Sequence, residues 1–261
     1  MLPFGDSMLV WSLATIAPAF VGLVLVILVG GLLSQRLVAA FALGIFFWFF
    51  IDTIQGSSNL LVNQGFTGGF AQVAAVLLFA LGLLLFAADR GLFMTVGSGI
   101  TLLVPLLAAF ALGIHGLGEG SAFGSTAAQT SSSSLLGAFG GTSAGIAYAL
   151  HKALEPMMAG ALYVAYSKDS PKSLGGTARD IIALTLVFAL PSILGAATGY
   201  YLAYDATYLF ALGAGTSVYV AFRLARQVFL ESTTERKESL KVSLAVLVGF
   251  ILIYVAALLH S

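Results

Sequence analysis

Two short stretches of this chain carry residue types that bind metal ions. His115 and Glu119 are four positions apart, and so are His151 and Glu155. On a helix, residues i and i+4 lie on the same face, so each stretch can direct an imidazole nitrogen and a carboxylate to one point. Two such helices packed together would supply four ligands of the kind that a divalent first-row transition metal accepts.

These residues are informative because the sequence around them is apolar. The chain is 59% hydrophobic and only 8% charged, and it has 3 histidines and no cysteine. An ionised group in hydrocarbon is costly, so ionisable residues kept within apolar runs are candidates for function. Without cysteine, disulfides and thiolate ligands are excluded. An alternative stays open, in which each histidine only pairs with its own glutamate as a polar contact between helices.

The elements that must position these residues are helices that span a membrane. Apolar runs of about 20 residues recur along the chain, as spanning helices require, which predicts an all-α, polytopic membrane protein with one domain over residues 1–261. The serine-rich stretch from Ser125 to Ser134 is interpreted as a flexible loop. We place eight spans near 9–33, 37–55, 69–88, 94–122, 136–166, 180–203, 207–230 and 239–260.

The basic residues support this count. Of the 11 lysines and arginines, all except Lys152 fall in, or at the ends of, the odd-numbered loops. Under the positive-inside rule, both termini then lie outside and the odd-numbered loops are cytoplasmic. The ten residues concerned are Arg36, Arg90, Lys168, Lys172, Arg179, Arg223, Arg226, Arg236, Lys237 and Lys241.

Other residues near the motifs have two interpretations each. Gly118 and Pro156 weaken the regular helix and would suit an ion pathway, although both residue types are common in membrane helices. Asp52, near the outer end of the second span, either draws cations towards an entrance or caps the helix. His260, at the end of the last span, is interpreted as an interfacial residue.

The two motifs resemble those of the ZIP (Zrt/Irt-like protein) family of divalent-metal transporters. The segments 189–195, 213–221 and 249–260 are also similar to the family's last three spans, so the resemblance covers spans four to eight. Spans one to three match only in hydropathy. The resemblance implies a ZIP-like bundle of eight helices with both termini outside. It also implies a transport site with four ligands: His115, Glu119, His151 and Glu155.

The chain departs from the family pattern at a second metal site that many members have. The three positions that would complete this second site read Gly116, Lys152 and Ser192, and none of them is a usual ligand. Gly118 replaces a usual proline, and Pro156 stands where glycine is common. We expect the Lys152 ammonium to lie in or beside the vacant second site, leaving a site for one metal. In the alternative, Lys152 points elsewhere and pairs with Glu155 or Asp52.

The expected function is uptake of a divalent transition metal towards the cytoplasm, with Zn²⁺ first and Fe²⁺ or Mn²⁺ next. Such a protein would not be an enzyme and would need no prosthetic group, since the metal is its substrate. Its partners would be the metal and the lipid bilayer, and the balanced charge gives no support for nucleic acid; a homodimer is left open. Short loops without histidine-rich segments indicate a prokaryotic plasma membrane. Two alternatives are an intramembrane metalloenzyme with the same ligands, and a relative that binds metal without transporting it.

Overall fold

The computed structural model describes residues 2–62, 70–89, 100–129, 137, 139, 141–202, 205–229 and 236–258. Every regular element in these ranges is helical, as the hydropathy predicts. The helices are α1 (Phe4–Gly30), α2 (Gln35–Val62), α3 (Phe70–Leu83), α4 (Leu85–Ala88), α5 (Leu103–Gln129), α6 (Thr142–Leu154), α7 (Pro156–Asp169), α8 (Leu174–Tyr201), α9 (Thr207–Phe229) and α10 (Arg236–Leu258).

Six of these helices are long and apolar enough to cross a membrane, namely α1, α2, α5, α8, α9 and α10. Their many outward-facing leucines, valines and phenylalanines are exposed in the isolated chain, as expected of surfaces that face lipid. Length, composition and exposure together are those of a multi-pass membrane protein. The other two predicted spans correspond to pairs of shorter helices, α3 with α4 and α6 with α7.

The break between α6 and α7 falls at the second motif. Pro156 begins α7 and has no backbone N–H, so it cannot donate to the carbonyl four residues before it. Glu155, between the two helices, nevertheless keeps helical backbone angles, with φ −56° and ψ −51°. Its N–H donates to the His151 carbonyl over 2.9 Å. The backbone of Glu155 therefore joins α6 to α7 with helical geometry at the motif.

The helix that carries the first motif packs closely along α8. A Cβ atom at Gly120 would overlap the Ser192 carbonyl, and one at Gly124 would overlap the Ala196 carbonyl. Small residues let membrane helices approach in this way. Gly118, on another side of α5, lies against the Phe210 ring of α9, and α5 continues through it as regular helix. The α5 motif is thus enclosed by α8 and α9.

Several predicted boundaries were wrong, and three of them are near the motifs or the serine-rich stretch. The second span was expected to end at 55, but α2 continues to Val62. The fourth span was expected from 94, but residues 100–102 are not helical and α5 begins after them. The segment 125–129, interpreted as loop, is the last turn of α5, because Phe123 and Ala127 are buried there. The Gln129 amide also donates to the Ser125 hydroxyl along the helix. Residues 94–99 and 130–134 lie outside the described residues.

Candidate metal site

Three of the four predicted ligands come together inside the bundle. His115 and Glu119 lie one turn apart on α5, and Glu155 lies at the junction of α6 and α7. One ligand atom from each residue lies within 4.8 Å of the others. His115 and Glu155 are each 2% exposed, whereas the Glu119 side chain is 18% exposed. The group is therefore buried and reachable on the side of Glu119.

The spacing within this group suits a small cation. His115 Nε2 lies 3.6 Å from Glu119 Oε1. Two ligand atoms bound to one tetrahedral zinc ion, with bonds of about 2.0–2.1 Å, stand about 3.3 Å apart. The two atoms are thus placed close to the separation that a shared metal would require, and α5 alone sets that separation through its i and i+4 positions.

Lys152 lies between the two glutamates and is completely buried. Its ammonium donates to Glu155 Oε2 over 2.7 Å and also forms an ion pair with Glu119 Oε2. The rings of Tyr148 and Phe188 flank it, with centroids 5.6 and 5.5 Å from Nζ. With both carboxylates ionised and His115 neutral, one positive and two negative charges leave a net charge of −1. That excess favours a further cation.

The fourth predicted ligand, His151, does not belong to the group. It is 8% exposed and lines a cavity of about 500 Å³ that also contains Glu119 and Asp52. Glu155 pairs instead with Lys152, three residues before it, because opposite charges attract more strongly than a neutral imidazole does. His151 thus lines the cavity beside Glu119 without joining the group of three ligand atoms.

The cavity is the accessible approach to the group, and aromatic rings form much of its wall. Asp52 on α2 is exposed and contributes a carboxylate to it. Because α2 continues beyond Asp52 to Val62, Asp52 does not cap the end of this helix, and its role at an entrance stays a prediction. The aromatic residues in the wall are Trp11, Trp48, Phe123, Phe139, Tyr148 and Phe210.

Gly116 and Ser192, the other two positions predicted for a vacant second site, meet across the interface between α5 and α8. A Cβ atom at Gly116 would lie 3.1 Å from Ser192 Cβ. The Ser192 hydroxyl accepts a hydrogen bond of 3.1 Å from Trp11 Nε1, and the Ser192 carbonyl accepts one of 3.2 Å. These hydrogen bonds of Ser192 join α1 to α8. Of the three predicted second-site positions, Lys152 is the one whose side chain contacts the two glutamates.

A second buried ionic group was missed. Asp89, expected in a short connection, and Arg223, counted among the cytoplasmic loop residues, are each 4% exposed. Arg223 Nε donates to Asp89 Oδ2 over 2.5 Å, and the Tyr219 hydroxyl donates to the same oxygen over 2.7 Å. The position of Arg223 inside the apolar run 207–230 was the available signal. His260 and Arg90 lie outside the described residues.

In comparisons with known proteins, no family model and no curated protein match this sequence. The resemblance to the ZIP family therefore stays a prediction.

Proposed function

We propose that this protein is a ZIP-type transporter that moves a divalent transition-metal ion towards the cytoplasm, with Zn²⁺ as the first candidate and Fe²⁺ or Mn²⁺ next. The observation that carries the proposal is the buried group of His115, Glu119 and Glu155, whose ligand atoms lie within 4.8 Å of one another. Imidazole and carboxylate suit these metals. Two ionised carboxylates inside a membrane bundle share the single ammonium of Lys152, and the remaining negative charge would be costly without a further cation.

The proposal includes eight spans with both termini outside. The pair α3 and α4 covers residues 70–88, which corresponds to about 28 Å of helix at 1.5 Å per residue, close to the thickness of the hydrocarbon core. The pair α6 and α7 is joined with helical geometry at Glu155 and is longer. Counting each pair as one span places the ten basic residues on the cytoplasmic side, in agreement with the positive-inside rule.

The cavity supplies the route by which the ion would reach the group. Asp52 and Glu119 both face this cavity, and His151 lies in its wall. A hydrated cation would meet Asp52 first, because that residue is exposed, and would then reach the partly exposed Glu119. His151 serves here as a transient contact rather than as a permanent fourth ligand.

Lys152 gives the group its distinctive charge balance. Its ammonium already neutralises one of the two carboxylate charges, so a bound divalent ion brings the net charge from −1 to +1. In a site without this lysine the same ion would bring the charge from −2 to 0. Lys152 therefore weakens metal binding and favours release, and it takes the place of a second metal. The proposed stoichiometry is one ion at this site.

The direct test is metal uptake into proteoliposomes that contain the purified protein. We expect Glu155→Gln to reduce Zn²⁺ uptake to the level of empty vesicles, since it removes one ligand. Glu238→Gln, which neutralises a carboxylate outside the site, is the matched control and should retain uptake. Equilibrium titration of the same preparations with Zn²⁺ should give one site that Glu155→Gln abolishes.

Three results would overturn this proposal. Equal uptake by the wild type and Glu155→Gln would exclude the group from transport. Binding of one ion without any uptake would favour the metal-binding relative that does not transport. Two tightly bound ions at this site would contradict the role given to Lys152.

A further inference from the structure

A threonine on α2 holds the histidine of the candidate site. Thr53 is completely buried. Its Oγ1 lies 3.2 Å from Nδ1 of His115, and the same hydroxyl donates to the Phe49 carbonyl over 2.8 Å. Thr53 is 62 residues before His115 in the sequence, and neither motif includes it. It contacts the side of the imidazole that faces away from Glu119.

The hydrogen-bond arrangement fixes the direction of the contact. A hydroxyl has one proton to donate, although its oxygen can accept as well. Because Thr53 donates that proton to the Phe49 carbonyl, its oxygen can only accept from His115. In this arrangement Nδ1 of His115 carries the proton that the Thr53 oxygen accepts. In the neutral ring the lone pair is left on Nε2, the nitrogen that lies 3.6 Å from Glu119 Oε1.

The rings beside His115 restrict the plane of its imidazole. The Phe49 ring meets the imidazole edge to face, with centroids 4.6 Å apart and planes at 73°. The Phe210 ring lies on another side, with centroids 5.4 Å apart. A 180° flip of the imidazole would keep this packing but break the contact between Nδ1 and Thr53, so the hydrogen bond selects between the two orientations.

We propose that Thr53 is a positioning residue for His115: it holds the imidazole in the tautomer with a proton on Nδ1 and so presents the Nε2 lone pair to the metal. The role of this tautomer in transport rests on the proposed function. The tautomer itself can be tested whether or not the protein transports a metal. Residues that orient a metal-binding histidine through its second nitrogen commonly change metal affinity by about 10–100-fold when they are replaced.

The tautomer can be measured directly by nitrogen-15 NMR of histidine-labelled, metal-free protein. The chain has 3 histidines, so the signals that disappear in a His115→Gln variant identify His115. We expect wild-type His115 to show a protonated Nδ1 and an unprotonated Nε2 when the ring is neutral. A wild-type spectrum with the proton on Nε2 would overturn the proposal without any Thr53 variant.

Variants of Thr53 test its part in this preference. Thr53→Val has nearly the same shape without the hydroxyl, so we expect the two tautomers to mix and Zn²⁺ affinity to fall by about 10–100-fold. Thr53→Ser keeps the hydroxyl and should restore both properties. The matched control is Thr185→Val, because Thr185 is also buried and also donates to a carbonyl four residues before it, that of Ile181.

The outcomes separate this proposal from the transport assignment. If Thr53→Val keeps the wild-type tautomer and Zn²⁺ affinity, Thr53 is not a positioning residue, whatever the protein transports. If the tautomer changes in Thr53→Val and returns in Thr53→Ser, the inference stands even where wild-type vesicles take up no metal. Equal effects of Thr53→Val and Thr185→Val would show a general loss of packing and overturn the inference.

Discussion

Two of the buried ionic groups among the described residues differ in how their charges balance. Asp89 and Arg223 form a pair of opposite charges that cancel, and both side chains are 5% exposed. Glu119, Glu155 and Lys152 leave one negative charge in excess, and Glu119 faces a cavity. A balanced, sealed pair can only join the elements that carry it. An unbalanced group with an open side can accept a cation.

The two groups also differ in whether a metal ion could compete for the contacts that join their helices. Asp89 follows α4 directly and Arg223 lies on α9, so their ion pair fixes the end of α4 to the bundle. Lys152 joins the α6–α7 junction to α5 through two glutamates that a metal would also use. The first contact has no competitor, whereas the second must compete with any ion that enters. Three variants can break or sharpen this contrast.

The largest effect is expected from Arg223→Met, which leaves Asp89 buried without its cation. Breaking a buried ion pair on one side costs about 3–5 kcal/mol, so we expect this loss in the free energy of unfolding, followed by circular dichroism in detergent. The double variant Asp89→Asn with Arg223→Met should recover more than half of the loss. Arg179→Met is the control, since that side chain is 79% exposed. Equal stability of Arg223→Met and the control would contradict the structural role.

A smaller effect on free energy is expected from Glu119→Gln, which makes the central group balanced like the pair at Asp89. One ammonium and one carboxylate would remain, and Zn²⁺ affinity should fall by roughly 100-fold, or about 2.7 kcal/mol. Equilibrium dialysis measures this change. The double variant at Asp89 and Arg223 should keep wild-type affinity. If this double variant loses as much Zn²⁺ affinity as Glu119→Gln, the excess negative charge of the central group does not determine metal binding.

The smallest change in Zn²⁺ affinity is expected from Lys152→Met, which makes the central group more negative instead of balanced. With the ammonium removed, the net charge becomes −2, and Zn²⁺ affinity should rise by about 10-fold, or about 1.4 kcal/mol. Uptake should slow because release becomes harder. Lys152→Arg keeps the charge and serves as the control for both measurements. A Lys152→Met variant with weaker binding than the wild type would show that the lysine assembles the site instead of moderating it.

Hydropathy predicts the helices of this protein well but places several of their ends wrongly. The second span was expected to end at 55, whereas α2 continues to Val62. Hydropathy detects where the chain leaves hydrocarbon, and a helix can continue into the polar region beyond that point. The same reason accounts for α5, which continues to Gln129 through residues that looked like a serine-rich loop.

Within the candidate site, sequence spacing predicts only what a single helix determines. His115 and Glu119 are held together by one regular helix, and their proximity follows from the i and i+4 rule. The pairing of Glu155 with Lys152 brings in Glu119 of α5 as well, which is a contact between helices and not a matter of spacing along one helix. Thr53 reaches His115 from another helix, and Asp89 reaches Arg223 across 134 positions. Contacts between residues so far apart in the sequence cannot be predicted from the spacing of residues along one helix.

The aromatic wall of the cavity has a practical consequence for experiments. The chain has only 2 tryptophans, Trp11 and Trp48, and both of them line the cavity that contains Glu119. Indole emission changes colour and intensity with the polarity of its surroundings. The intrinsic tryptophan fluorescence of an unlabelled sample should therefore change when a ligand enters the cavity, when water leaves it or when the cavity closes.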